Sequence, residues 1–238
     1  MGPFFMSSIS KEIFNSHDLD YSDLQDRSRK LDERFGFNVS QIEKELVLKA
    51  KEVQPNGDKS TWGKAIHDNN QTWVGLNPNQ LQTTYGEFYE ICDSLNFSKI
   101  KTIVDVGAGY GRLGIVSSAF DKNINFKGIE FVQERVDEGN RVFQSLNLNN
   151  CILSQADLSN PDFELQIADV YFIYDFGRIE QIDQTLSQIS KLAQGRETTV
   201  VARGRGTQSL IWSDHPWLSQ VFESTMVSNS RIFRNFPI

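Results

Sequence analysis

The sequence predicts an α/β protein built on a doubly wound, mostly parallel sheet, with a helical appendage at its N-terminus. Three observations carry this reading. From residue 101 onward, short apolar runs alternate with helical patterns, which is the signature of βαβ units and a parallel sheet. The first of those runs feeds a glycine loop, Asp105-Val106-Gly107-Ala108-Gly109-Tyr110-Gly111, and then a helix. The tail, with 221–227 and 231–236 around Ser228-Asn229-Ser230, reads as a hairpin. A length of 238 residues suits one such domain with an appendage. The expected division is 1–80 for the helical appendage and lid, and 81–238 for the sheet domain.

The elements follow in order. Leu24, Leu31 and Phe35 share one helical face after Tyr21, Ser22-Asp23-Leu24-Gln25 reads as a capping box, and Gly36 is a stop. Ser40-Gln41-Ile42-Glu43 reads as a second capping box, with Ile42, Leu46 and Ala50 on one side and Pro55-Asn56-Gly57 as the end. Residues 55–80 are rich in Asn, Gly, Gln and Thr but carry Trp62 and Trp73. That composition predicts an ordered loop, either a clamp on the core or a lid. A helical run from Leu81 to Leu95 precedes the sheet. Strands are expected at 101–106, 125–130, 151–154, 169–174 and 198–202, and helices at 112–120, 133–145 and 179–192. The stretch 160–166 supports at most two turns of helix.

The formal net charge of −7 disfavours non-specific binding to nucleic acid or to an anionic membrane. No apolar run approaches the roughly 20 residues that span a bilayer. The start lacks a basic stretch followed by an apolar one, and Met6 stands where a myristoylation signal needs Ser or Thr. The two cysteines, Cys92 and Cys151, sit in apolar patterns and read as buried free thiols. Three histidines show no metal-ligand spacing. The expectation is a reduced, cytoplasmic protein without a metal.

Ligands of open α/β sheets bind beyond the carboxyl ends of the strands. An acid stands at each of four such ends: Asp105, Glu130, Asp157 and Asp175. The stretch from Ile103 to Gly114, with its acid followed by Gly107, Gly109 and Gly111, resembles motif I of the class I S-adenosylmethionine (SAM)-dependent methyltransferases. The resemblance covers about residues 80–205. It implies a Rossmann-like fold whose sheet finishes with one antiparallel strand inserted by a C-terminal hairpin, and SAM as cofactor. By that likeness, Gly107, Ala108, Gly109 and Gly111 wrap the methionyl end and Asp105 orients its ammonium. Glu130, with Phe131 beside it, takes the ribose hydroxyls. Asp157, with Leu158, takes the adenine.

The group nearest the transferred methyl is then expected from Tyr174-Asp175-Phe176-Gly177, with Asp175 as proton acceptor. Amino-methylating relatives carry Asn/Asp-Pro-Pro-aromatic there, and this chain lacks both prolines. Thr84-Tyr85-Gly86-Glu87 is similar to a Tyr-Gly-Glu of the non-SET histone-lysine methyltransferases, which implies Tyr85 and Glu87 on the lid side of the cofactor. Arg203 and Arg205 follow the fifth strand and read either as a clamp for a carboxylate or phosphate, or as solvated loop charges.

The expected activity is methyl transfer to a protein side chain or small-molecule nucleophile not identified by the sequence. One alternative is a SAM-binding domain without turnover. Another is an NAD- or FAD-dependent oxidoreductase, because Gly109 to Gly114 also fits G-x-G-x-x-G. Against the last, Asp105 precedes the glycines, where a pyrophosphate site has no use for an acid.

Overall fold

The computed structural model describes residues 9–16, 19–67, 73–75, 82–160 and 162–237. Its centre is a seven-stranded sheet in the order β3-β2-β1-β4-β5-β7-β6. The strands are β1 (Thr102–Val106), β2 (Asn125–Glu130), β3 (Cys151–Gln155), β4 (Val170–Tyr174), β5 (Thr199–Arg203), β6 (Thr225–Val227) and β7 (Ser230–Arg234). The first five are parallel, and β7 runs antiparallel between β5 and β6. The fold is therefore the Rossmann-like doubly wound sheet expected, with the C-terminal hairpin inserting its second strand beside β5.

The strand sequences explain the burial. Ile103 and Phe172 face one apolar cluster, while Val104, Val106, Tyr171 and Ile173 face another. A sheet covered on both faces needs apolar residues at every position, which is why these strands read as unbroken apolar runs. Helices α5 (Arg112–Phe120) and α6 (Gln133–Ser145) cover the first face, and α7 (Ile179–Leu192) covers the second.

The N-terminal helices are α1 (Tyr21–Phe35), α2 (Val39–Val53) and the short α3 (Trp62–Ile66). Phe14, Leu31 and Phe35 belong to the same buried cluster as Ile103, Leu113 and Phe126. Their start signals differ from the sequence expectation. Asp20 caps α1, its side chain accepting from the Asp23 N–H at 2.9 Å, in place of Ser22. Helix α2 begins at Val39 with no side-chain cap, because Glu43 turns inward to a buried arginine instead of back to the helix start. Trp62 packs against Leu46, Val74 and Val132. The expected lid positions 68–72 and 76–80, and residue 81 of the following helical run, lie outside the described residues.

Helix α4 (Tyr85–Asp93) starts four residues later than the apolar pattern from Leu81 implies. Thr84 and Glu87 form a full capping box there, and an N-cap residue must be extended. After β5 comes a helix that the sequence reading omitted, α8 (Arg205–Asp214), followed by the short α9 (Pro216–Ser219). Gly204 and Gly206 disguised it as a loop. Among the described residues, none between β3 and β4 is helical, and no helix is long and apolar enough to cross a membrane.

Candidate functional site

The strand order reverses between β1 and β4, with β2 and β3 on one side and β5 on the other. A crevice must open beyond the carboxyl ends of β1 and β4. A narrow pocket lies there. Asp105, Gly107, Ala108 and Gly109 line it from the β1 side, Tyr174 and Arg203 from the ends of β4 and β5, and Gln82 and Thr83 from the segment before α4.

Local chemistry fixes the glycine loop. The Gly107 and Ala108 N–H groups both donate to the Ile129 carbonyl at 2.9 Å, tying the loop to β2. Gly107 has φ +82°, and a Cβ there would lie 2.8 Å from the Cβ of Phe176. Gly111, also at φ +82°, is the N-cap of α5, and its Cβ would stand 2.6 Å from the ring of Phe143. Both positions therefore need glycine for the fold itself.

Asp105 is 7% exposed. Among the described residues, no hydrogen bond or ion pair reaches its carboxylate. Burial, reinforced by the nearby charge of Glu130, raises its pKa from 3.8 to about 7. Glu130 is also buried but well partnered. Its Oε2 accepts from the Gly109 N–H at 2.8 Å, and its Oε1 accepts from the Phe131 and Val132 N–H groups at 3.0 Å each. Glu130 thus holds the glycine loop against the turn that follows β2.

Two buried arginines flank the loop. Arg112, the first residue of α5, pairs with Asp32 of α1, its Nε donating at 3.1 Å and its Nη2 bonding Asp32 Oδ2. Its Nη1 donates to the Thr83 carbonyl at 3.2 Å. Arg135 of α6 donates from Nε to Glu43 of α2 at 2.9 Å and lies 3.8 Å from Glu130. The Tyr110 hydroxyl donates to Glu43 at 2.9 Å. Thus α1 and α2 supply the counter-charges around the loop.

The structure does not bring Tyr85 to the pocket. Its ring stacks on Phe14 with centroids 5.4 Å apart, and its hydroxyl donates to Asp32 at 3.0 Å. Burial, with the Asp32 charge beside it, raises the phenol well above its ordinary pKa. Asp175 is likewise engaged elsewhere. It accepts from the Gly206 N–H at 3.1 Å, the Thr207 N–H at 2.8 Å and the Thr207 hydroxyl at 2.7 Å. It caps α8, whose first-turn N–H groups need acceptors.

Glu87 stands one layer behind the pocket wall. Arg203 Nη2 donates to both its oxygens at 3.0 and 3.2 Å, and Asn229 Nδ2 donates at 2.8 Å. Burial alone would raise this carboxyl, but Arg203, Asn229 and Thr84 together hold it below its usual range. The Arg203 guanidinium lies 4.6 Å over the Tyr174 ring. Asp157 closes a turn, accepting from the Ser159 N–H at 2.8 Å and its hydroxyl at 2.6 Å. Leu158 packs on the α7 side, and Phe131 lies edge-on to His67. The Ala156 N–H is already used by the Glu130 carbonyl at 3.1 Å.

The pocket therefore gathers Asp105, Gly107, Ala108, Gly109 and Tyr174 from the expected residues. Gly111, at the start of α5, and Glu130, Phe131, Asp157 and Leu158, at the ends of β2 and β3, lie outside its lining, and Tyr85 and Asp175 serve packing and capping. The sequence reading missed Gln82, Thr83 and the apolar floor of Phe88 and Phe172. The strand-end position marks Arg203 as one of the two clamp candidates, and the pocket takes Arg203; no local pattern marks Gln82. Among the described residues, no cluster of three side chains could hold a metal ion.

No protein-family model matches the chain, and no curated protein sequence matches it. Solved structures do share its fold. One is a precorrin-6y C5,15-methyltransferase from Geobacter metallireducens GS-15, with TM-score 0.50 and 14% identity over 67% of this chain and 90% of that one. Another is a mitomycin 7-O-methyltransferase, with TM-score 0.47 and 17% identity over 62% of this chain and 52% of that one. A third is an O-methyltransferase from neocarzinostatin biosynthesis bound to SAM and 2-hydroxy-5-methyl naphthoic acid, with TM-score 0.48 and 15% identity over 60% and 51%. The chain spans about half the length of the latter two. At 14% identity the likeness to the precorrin-6y methyltransferase is one of fold alone.

Proposed function

We propose that this chain binds SAM and transfers its methyl group to a nucleophile on a protein side chain or small molecule. The observation that carries the reading is Asp105: a buried carboxylate without a partner, at the head of a glycine loop, at the switch point of the sheet. A carboxylate so placed calls for a cation, and the ammonium of an amino-acid ligand supplies one.

The charges around the pocket agree. Arg112 is matched by Asp32, and Arg203 by Glu87, which leaves Asp105 as the net negative charge. SAM carries an ammonium, a sulfonium and a carboxylate, for a net charge of +1. A dinucleotide would instead bring two phosphates toward Asp105, and the arginine at the start of α5 is already consumed by Asp32. That disfavours an oxidoreductase.

In this reading Gly107, Ala108 and Gly109 pack against the methionyl chain. Glu130 Oε2 has one N–H partner and keeps acceptor capacity for a ribose hydroxyl. Phe131, Asp157 and Leu158 border the adenine side, and Gly111 shapes the loop. Tyr174 faces the transferring methyl. Bound SAM supplies a methyl on a sulfonium, open to in-line attack. This chain's own work is to align the nucleophile and exclude water.

Asp175 and Tyr85 are both occupied, so neither is offered as a base. That same observation favours a second reading, a SAM-binding domain without turnover. The similarity to non-SET histone-lysine methyltransferases rested on Tyr85-Gly86-Glu87, and the core gives that tripeptide a capping and packing role.

Calorimetry should show SAM and adenosylhomocysteine binding near 1 μM, about −8 kcal/mol. NAD or FAD binding without SAM binding would refute the reading. Isotope-labelled SAM, incubated with the protein and cell extract and followed by mass spectrometry, then separates transfer from mere binding.

A further inference from the structure

Two buried donors without a hydrogen-bond partner among the described residues line one pocket: Gln82 Nε2 and Arg203 Nε. Asp105, also unpartnered, lines the same pocket. Buried polar atoms in folded proteins are nearly always paired, so three unpaired groups in one crevice describe the ligand that would pair them. The two donors need acceptors, and the acid needs a donor.

Arg203 is held in place without using Nε. Its Nη2 is fixed by Glu87, which Asn229 and Thr84 hold in turn, and its flat face lies on Tyr174. Tyr21 also hydrogen-bonds the guanidinium, so the group is preorganised and the Nε–H is the donor left for a ligand. Gln82 stands against the glycine loop, 3.9 Å from where a Gly109 Cβ would lie. Glu87 neutralises most of the Arg203 charge and Asp105 adds a negative one, so a dianionic phosphate is a poor match and a singly charged, planar carboxylate a good one.

We infer that Gln82 and Arg203 form a carboxylate-binding subsite beside Asp105. The inference rests on reading this pocket as a SAM site. The carboxylate belongs either to the amino-acid end of the cofactor or to the methyl acceptor.

Calorimetry on the full chain distinguishes these. The ligands are SAM and decarboxylated SAM, which keeps the ammonium and sulfonium and lacks only the carboxylate. The proteins are wild type, Gln82→Leu and Arg203→Met. Gln82→Leu breaks no described hydrogen bond of that amide nitrogen and keeps the test alive should Arg203→Met fail to fold. If the carboxylate is the cofactor's, wild type prefers SAM by roughly tenfold or more, the scale of a hydrogen bond to a charged group. That preference shrinks in each variant while affinity for decarboxylated SAM stays.

If wild type shows no preference, benzoate is titrated into protein saturated with adenosylhomocysteine. Benzoate binding that disappears in the variants assigns the subsite to the acceptor. A preference for SAM that survives both substitutions overturns the inference, as does the absence of both preference and benzoate binding. A folded chain that binds neither SAM nor its decarboxylated form instead refutes the cofactor reading itself.

Discussion

Replacing Asp105 by Asn should make the protein more stable and less able to bind. The carboxyl titrates at 3.8 when exposed and at about 7 in the folded protein. Between those values the folded state holds a proton that the unfolded state has lost. Stability therefore falls as pH rises through this window. The gap corresponds to about 4 kcal/mol above pH 7, all of it absent below about pH 4. Asn keeps the shape and never ionises.

Melts of wild type and variant followed by circular dichroism should nearly coincide at pH 4.5 and separate at pH 8. For a chain of this size 1 kcal/mol is worth about 2–4 °C, so the variant should melt roughly 8–15 °C higher at pH 8. Calorimetry should show the opposite trend for the ligand. SAM affinity for wild type should rise up to about tenfold per pH unit below 7, with one proton released on binding, and the variant should lose this dependence along with much of the affinity. Equal melting of the two proteins at pH 8, or pH-independent SAM binding by wild type, would refute the argument that an unpaired acid is held there for a cation.

Other substitutions probe the surrounding contacts. Asp32→Asn leaves Arg112 buried without its counter-charge and should cost about 3–5 kcal/mol in urea unfolding. Glu130→Ala strips acceptors from the N–H groups of Gly109, Phe131 and Val132; unfolding should fall by at least about 2 kcal/mol and adenosylhomocysteine binding should weaken in parallel. Asp175→Ala removes the cap of α8 and should cost about 1–2 kcal/mol of stability, with cofactor affinity in calorimetry unchanged. Gly107→Val collides with Phe176 in a left-handed backbone, so circular dichroism should report a lowered melting temperature even without ligand, more than a simple block of the pocket would produce.

Much of the sheet was legible because its central strands β1, β4 and β5 are covered on both faces, α5 is an apolar run buried all round, and α6 and α7 each carry one apolar stripe. Helix limits such as 133–145 and 179–192 could be read from that stripe alone. What failed was information held at a distance. Asp175 caps α8 from 31 and 32 residues away, so Gly204 and Gly206 read as a loop. Glu43 has a helix-start pattern around it, yet it answers Arg135, 92 residues on. Tyr85 stands in a likely-looking tripeptide, but Phe14 and Asp32 claim it. Around the site, Asp105 and the glycines were visible because backbone conformation and strand ends leave marks in local sequence. Gln82, and the open Nε of Arg203, gain their meaning only from an absent neighbour, which no sequence pattern records.

The ion pairs that α1 and α2 make with the loop helices also bear on the order in which the chain can be assembled. Asp32 precedes Arg112 by 80 residues. At a translation rate of roughly 5–20 residues per second, it emerges about 4–16 s before its partner. During that interval Leu31 and Phe35 have neither the sheet to cover nor a buried charge to match, and short helices alone are marginal in water. The earlier-made segment therefore settles only after the later one. A nascent chain stalled before β1 is complete would display an apolar, unanchored helix pair, the kind of surface that holding chaperones bind.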